Sequence, residues 1–212
     1  MEQAPDFEAN STHGSIRLSD FTRQGRWVML FSHPSDFTPV CSTEFVEFAK
    51  RHAEFEKLNV QLIGVSVDSV PSHIAWVRDL EQIANVQVQF PVVADLDQKV
   101  SQSYGLVHEA VSDTATVRAV FFIDPRQKVR ALMYYPMQLG RSVDELIRVF
   151  QALQTADANG VSCPANWVPG RQVIAAAPAT LAEAAKRTST GGAGMDVMSW
   201  YLSKKDLAVP VN

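Results

Sequence analysis

Hydrophobic and polar positions follow two patterns along this chain, one typical of buried strands and the other of amphipathic helices. Mainly apolar runs of strand length, which are typical of strands buried on both faces, occupy 27–31, 60–67 and 117–123. Apolar residues spaced three and four apart, which mark one helix face, recur in 45–55, 74–80 and 143–153. The pattern therefore predicts strands that alternate with helices.

Shorter segments complete the predicted fold. We expect strands near 15–18 and 90–94, a short helix at 98–104, and a strand at 128–135 that forms a hairpin with 117–123. Alternating strands and helices followed by a hairpin predict an α/β fold with a mixed central sheet flanked by helices. Because the composition becomes turn-rich from Ala156, we predict a domain at 1–155 and a C-terminal arm or small domain at 156–212.

Composition and charge narrow the classes of partner and location. The hydrophobic content is 46%, enough for a real core, and the net charge of −4 argues against nucleic acid or an anionic membrane as a partner. No apolar run approaches the roughly 20 residues of a membrane helix, and the first residues lack the basic and apolar regions of a signal peptide. We therefore expect a soluble, cytoplasmic protein.

The most informative segment joins the strand at 27–31 to the following helix. It contains two prolines and ends in Cys41 at the predicted helix start. A thiol in a first helical turn faces free N–H groups and the positive end of the helix dipole, which favour the thiolate. Thr38, three residues earlier, can place a hydroxyl near that sulfur. The alternative is that Cys41 is a small buried hydrophobic residue.

Arg118 is unusual because it lies within the apolar run 117–123. A buried charge is costly unless it is paired. Either Arg118 forms a salt bridge with Glu or Asp on an edge or face of the sheet, or it pairs with the Cys41 thiolate and helps to hold a small polar substrate.

Three residues in this region resemble the active-site signature of the peroxiredoxins, which are cysteine-dependent peroxidases: Pro34, Thr38 and Cys41, in the spacing Pro-x-x-x-Thr-x-x-Cys. The longer run 33–41 is similar to the one-Cys branch of that family. The resemblance extends over nearly the whole chain. It implies a thioredoxin-like fold with a C-terminal extension, and an antioxidant enzyme that reduces hydrogen peroxide and small organic hydroperoxides.

The resemblance also implies a role for each matched residue. Cys41 would attack a peroxide oxygen and become a sulfenic acid. Thr38 and the backbone N–H of Cys41 would hydrogen-bond the peroxide, while Pro34 would shield the pocket. Arg118 would stabilise the thiolate and the charge on the leaving oxygen.

Three further matched residues have supporting roles by the same resemblance: Glu44, Arg141 and His33. Glu44 would orient the pair of arginines, of which Arg141 is the outer one. His33 matches a histidine of the one-Cys branch, and the alternative is a histidine that only packs in the core.

The second cysteine lies 163 − 41 = 122 residues after the first. The segment 161–170, which contains Cys163, resembles the resolving-cysteine segment of the two-Cys peroxiredoxins. The resemblance implies that Cys163 attacks the Cys41 sulfenic acid of a neighbouring subunit, and that a thiol reductant such as thioredoxin reopens the resulting disulfide. It also implies a homodimer or a ring of dimers. The alternative is a free cysteine in a linker.

Other functions remain as alternatives. A one-Cys peroxidase would be resolved by an external thiol, and a redox-regulated chaperone or peroxide sensor would use the same cysteine. A disulfide reductase is disfavoured because the chain has no Cys-x-x-Cys pair. The two cysteines and five histidines show no zinc-ligand spacing, so we expect neither a metal nor an organic cofactor.

Overall fold

The computed structural model describes residues 2–108, 115–189 and 194–207. The chain forms two compact units, Met1–Val143 and Asp144–Asn212. The composition places the domain boundary between residues 155 and 156, and this placement remains a prediction.

The first unit is built on a sheet of seven strands in the order β2-β1-β5-β4-β3-β6-β7. The strands are β1 (Glu8–Ser11), β2 (Gly14–Arg17), β3 (Trp27–Ser32), β4 (Val60–Ser66), β5 (Val92–Ala94), β6 (Arg118–Ile123) and β7 (Val129–Tyr135). The helices are α1 (Leu18–Arg23), α2 (Pro39–Lys50), α3 (His52–Lys57), α4 (Val70–Ala84) and α5 (Lys99–Ser103). Strands β3, β4 and β5 are parallel, whereas β6 runs antiparallel to β3. This mixed sheet confirms the predicted α/β fold with a thioredoxin-like arrangement.

The two central strands, β3 and β4, carry the core. Every residue of both is buried, including Leu30 and its cross-strand neighbour Ile63. Their continuous apolar runs fit a strand that is covered on both faces. Residues from the N-terminal segment through to β7 pack with these two strands in one apolar cluster. Among these residues are Ala4, Val93, Tyr104 and Phe121. The core therefore holds the C-terminal end of β3 in place, and the segment that leads to Cys41 begins there.

Several local predictions were incomplete. The predicted helix from Phe45 to Phe55 is two helices, α2 and α3, because the backbone at Arg51 leaves helical geometry (ψ 10°). The predicted strand near 15–18 is one arm of a hairpin whose other arm, β1, was missed, as was α1. These elements are short and largely polar, so they carry little hydrophobic periodicity.

The second unit has its own small sheet. Its elements are α6 (Val143–Asn159, which starts in the first unit), β8 (Val173–Ile174), α7 (Leu181–Ser189), β9 (Met195–Val197) and β10 (Ser203–Lys205). The sheet is antiparallel in the order β8-β10-β9, with an apolar cluster of Val161, Trp167 and Val173. Within the described residues, no helix has the length and apolarity needed to cross a membrane.

Candidate active site

The junction of β3 and α2 places Cys41 at a helix start. Thr38 is the N-cap residue with extended backbone, and Pro39 takes the first helical position, where a missing N–H costs nothing. Cys41 follows in the first turn and is 0% exposed. Phe37, just before the cap, has a left-handed backbone (φ 55°) that turns the chain into the helix. Cys41 therefore lies in the first turn of a helix, as the sequence predicts.

The antiparallel pairing of β6 with β3 brings Arg118 to this thiol. Phe31 pairs with Val120, so the first residue of β6 lies beside the last residues of β3. The Nη1 atom of Arg118 donates a hydrogen bond to Cys41 Sγ at 3.2 Å, and Arg118 is 3% exposed. Its Nε atom donates to the carbonyl oxygen of Met137 at 3.0 Å. The buried charge of Arg118 is thus hydrogen-bonded to Cys41 and to the backbone of Met137.

Glu44 joins the two arginines that were predicted to form a pair. It lies one turn after Cys41 on α2 and accepts from Arg118 Nη1 at 2.7 Å and from Arg141 Nη2 at 2.5 Å. The backbone N–H and the Nε atom of Arg141 also donate to Glu44, each at 2.8 Å. Arg141 Nη1 donates to the carbonyl oxygens of Ser32, the last residue of β3, and Ala119, the second residue of β6.

The buried charged side chains next to Cys41 carry a net positive charge. Two guanidinium groups, Arg118 and Arg141, surround a single carboxylate, Glu44, and all three are buried. A Cys41 thiolate would neutralise the remaining positive charge, and a buried charge is least costly when it is paired and hydrogen-bonded. The arrangement can therefore hold a sulfur nucleophile and a small anionic or polar oxygen beside it.

The remaining predicted site residues lie around the same loop. Thr38 is half-buried, and its hydroxyl donates to the carbonyl oxygen of Ser35 at 2.9 Å. Pro34 is buried and Pro39 is exposed. His33 is fully buried and stacks on Trp76, with ring centroids 5.1 Å apart.

Sequence reasoning gave no role to Asp36, which lies in this loop, or to His73 of α4, which contacts it. His33 Nε2 and His73 Nδ1 each lie 3.0 Å from Asp36 Oδ1. These three buried side chains are also the group of the described residues that could ligate a metal, with ligand atoms within 4.8 Å of one another. Asp36 belongs to the motif already singled out, but nothing in the sequence links it to a histidine 37 positions later.

Cys163 lies in the second unit, whereas Cys41 lies in the first. Both are free thiols. Cys163 is half-buried, donates a weak hydrogen bond to the carbonyl oxygen of Ala152 (3.4 Å), and lines a cavity of about 500 Å³. Burial raises the pKa of the Cys163 thiol, and the positive charge of Arg148 opposes that rise only in part.

Known proteins resemble this chain in both units. Residues 1–132 match the AhpC/TSA family and residues 152–191 match the C-terminal domain of 1-Cys peroxiredoxin. Peroxiredoxin 2 of Caldanaerobacter subterraneus subsp. tengcongensis is 48% identical over 202 residues, covering 95% of this chain and 90% of its own.

Two solved structures have the same fold. A yeast mitochondrial 1-Cys peroxiredoxin, studied for thiol resolution through glutathione and thioredoxin systems, is 38% identical with a TM-score of 0.85, covering 97% of this chain and 98% of its own. Peroxiredoxin 6 of Arenicola marina, solved as a cysteine-to-serine mutant, is 31% identical with a TM-score of 0.85, covering 98% and 97%. On these matches, the chain belongs to the peroxiredoxins, in the 1-Cys branch, and is a thiol-dependent peroxidase.

Proposed function

We propose that Cys41 is the peroxide-reactive residue of this peroxidase and that Cys163 of a neighbouring subunit resolves it. The observation that carries the first part is the hydrogen bond from Arg118 to the buried Cys41 sulfur, 3.2 Å long. An arginine with a second bond to Glu44 can hold its charge at the sulfur through the reaction.

The first half-reaction consumes one peroxide. The Cys41 thiolate attacks one oxygen, so that an S–O bond forms as the O–O bond breaks, and the sulfur is oxidised to a sulfenic acid. The leaving hydroxide or alkoxide takes up a proton and departs as water or an alcohol. Arg118 stabilises the developing charge, Thr38 and the Cys41 backbone N–H hydrogen-bond the peroxide, and Pro34 limits water. Glu44 and Arg141 hold Arg118 in place, and His33 packs behind the loop.

The second half-reaction forms a disulfide. The Cys163 thiolate attacks the sulfenic sulfur, an S–S bond forms, and hydroxide leaves and becomes water. A dithiol reductant such as thioredoxin then returns two electrons. Because Cys41 is fully buried, the first turn of α2 has to open before another sulfur can reach it. This route requires at least a homodimer.

A second candidate is resolution by an external thiol. It is favoured by the match of residues 152–191 to the 1-Cys C-terminal domain and by the glutathione and thioredoxin systems named for the yeast relative. The partial burial of Cys163 also favours it, since a thiol with a raised pKa is a slower nucleophile at neutral pH.

One experiment separates these routes. Reduced parent protein, Cys41→Ser and Cys163→Ser each receive one equivalent of hydrogen peroxide, followed by non-reducing gels and dimedone labelling of sulfenic acid. We expect a disulfide-linked dimer in the parent, a dimedone adduct without a dimer in Cys163→Ser, and neither in Cys41→Ser. Since the chain has two cysteines, loss of the dimer in both variants identifies the Cys41–Cys163 bond.

The other outcomes are equally decisive. A parent protein that forms the dimedone adduct but stays monomeric on the gel supports the external thiol. Peroxide consumption that survives in Cys41→Ser rules out Cys41 as the reactive residue.

A further inference from the structure

A buried polar cluster joins the loop that leads to Cys41 to helix α4. At its centre is Asp36, which is 5% exposed. Its Oδ1 atom faces His33 Nε2 and His73 Nδ1, each at 3.0 Å, and its Oδ2 atom faces His73 Nδ1 at 2.9 Å. The hydroxyl of Ser72 donates to Oδ2 at 2.8 Å. Both histidines are 0% exposed.

Both ring nitrogens of His73 have a hydrogen-bond partner. Its Nε2 atom lies 3.1 Å from the carbonyl oxygen of Val93, which can only accept, so Nε2 must carry a proton. Its Nδ1 atom faces the Asp36 carboxylate, 3.0 Å from Oδ1 and 2.9 Å from Oδ2. The ring is therefore held on both sides, between Asp36 and strand β5.

The neighbouring groups agree with an ionised Asp36. Burial alone would raise the pKa of the Asp36 carboxyl, but hydrogen bonds from His33 and His73 outweigh it and hold that pKa below its usual range. Burial lowers the pKa of His33, so His33 is neutral and donates to Asp36 through Nε2. None of the described residues hydrogen-bonds the other His33 nitrogen, Nδ1. The Asp36 carboxylate is thus held by both histidines and by Ser72.

The contact between Asp36 and His73 joins two segments that are distant in the sequence. Asp36 belongs to the loop between β3 and α2, whereas Ser72 and His73 lie in the first turn of α4. The backbone N–H of Asp36 is held by Asp68 Oδ2 at 3.1 Å, at the junction of β4 and α4. The loop is therefore fixed to α4 through both its backbone and its side chain.

The loop needs these hydrogen bonds because its own apolar side chain, that of Phe37, contributes little packing. Phe37, next to Asp36, has a left-handed backbone (φ 55°), which is strained for a residue with a large side chain. Its ring is 59% exposed, so packing of Phe37 does little to hold this conformation. The next residue, Thr38, caps the helix that carries Cys41.

We propose that the buried contact between Asp36 and His73 positions the Cys41 loop for reaction with peroxide. They are positioning residues, since they act through the loop on Thr38 and Cys41. This inference rests on the proposed role of Cys41.

The test measures the second-order rate constant of Cys41 oxidation by hydrogen peroxide in a single turnover, with Cys163→Ser as the parent so that resolution does not contribute. We expect Asp36→Asn and His73→Gln each to lower it by about tenfold to a hundredfold, because misplacing a reacting group by about 1 Å has effects of this size. The double variant should be little slower than the slower single variant, because the two residues act as one unit.

Leu80→Ala is the matched control for lost stability, because Leu80 is buried in the same helix as His73. We expect it to lower the thermal midpoint while changing the oxidation rate by less than about twofold. If Asp36→Asn and His73→Gln slow oxidation no more than Leu80→Ala does, the pair does not position the loop. Asp36→Asn with full activity, while Cys41→Ser is inactive, overturns only this inference. Activity in Cys41→Ser overturns the proposed function itself.

A second measurement needs no variant and remains informative if one fails to fold. The Nε2–H of the His73 ring should exchange slowly with solvent in the proton NMR spectrum, because the ring is 0% exposed and bonded to Val93 and Asp36. A ring N–H that exchanges as fast as that of an exposed histidine overturns the proposal. A metal ion bound at one equivalent in the purified protein and lost in His73→Gln also overturns it, because the metal would then hold the ring in place of the hydrogen bond to Asp36.

Discussion

Arg118 satisfies three different groups with one guanidinium. Its Nη1 atom donates to both Cys41 Sγ and Glu44 Oε2, while its Nε atom donates to the carbonyl oxygen of Met137. The planar guanidinium has five N–H donors in fixed directions, whereas a lysine has three on one flexible ammonium. Retaining the positive charge is therefore not enough to retain this geometry.

Arg118→Lys should lower the rate constant of Cys41 oxidation by about 10²–10³, the usual effect of losing one donor aimed at developing charge. The measurement is single-turnover oxidation by hydrogen peroxide, followed by stopped-flow fluorescence. The matched control is Arg130→Lys, since Arg130 is another arginine of the sheet, its side chain is 8% exposed, and it pairs with Asp124 at 3.4 Å. An Arg118→Lys rate equal to that of Arg130→Lys would show that charge alone suffices.

At the scale of elements, an aromatic layer sets the position of α2 on the sheet. Phe45 and Phe48 of α2 pack against Phe31 of β3, with ring centroids 5.5 and 4.7 Å apart. Gly64 of β4 makes room for this packing, since a Cβ atom there would lie 3.3 Å from the rings of both Phe31 and Phe45. The glycine lets the sheet approach the helix that carries Cys41.

Gly64→Ala should lower the free energy of unfolding by about 1–3 kcal/mol, the usual range for an overpacked core. Equilibrium unfolding in urea measures the change. Gly140→Ala is the control, because a Cβ atom there would meet Val40 at 3.6 Å, an ordinary contact distance. Equal or greater stability of Gly64→Ala would mean that the rings move aside freely and that the close approach is unimportant.

At the scale of the whole molecule, the proposed cycle divides its chemistry between the two units. Cys41 has its arginine within the first unit, and Cys163 has Arg148 within the second. Because burial raises the pKa of Cys163, little of this thiol is ionised at neutral pH. The second step should therefore respond to pH through Cys163.

The rate of intersubunit disulfide formation should rise from pH 6 to pH 8 by up to about tenfold per pH unit, because below its pKa the thiolate fraction grows in that proportion. The sign follows from the direction of the shift: a higher pKa leaves the reactive form scarcer at low pH. Rapid-quench gels after one equivalent of peroxide give this rate, and dimedone labelling of Cys163→Ser gives the preceding oxidation step as a control. A disulfide rate independent of pH over this range would show that opening of the Cys41 loop, and not Cys163 ionisation, limits resolution.

Much of the site was predictable because its chemistry is local in the sequence. The prolines, Thr38 and Cys41 all lie within residues 34–41, and the charge of Arg118 is conspicuous within an apolar strand. Asp36 and His73 were not predicted as a pair, since their contact depends on how the β4–α4 crossover packs beside β3. The small sheet of the second unit was missed because strands of two or three residues carry no usable periodicity.

The sequence by itself determined the α/β class, the buried central strands, and a thiol placed at a helix start, because hydrophobic period, turn residues and capping are local properties. Only the tertiary structure determined which charged side chains contact that thiol. Strand β6 pairs antiparallel with β3, which sets Arg118 beside Cys41, and α4 lies where His73 reaches Asp36. Such contacts join residues 37 to 77 positions apart, and only the packing of the whole unit brings them within hydrogen-bonding distance.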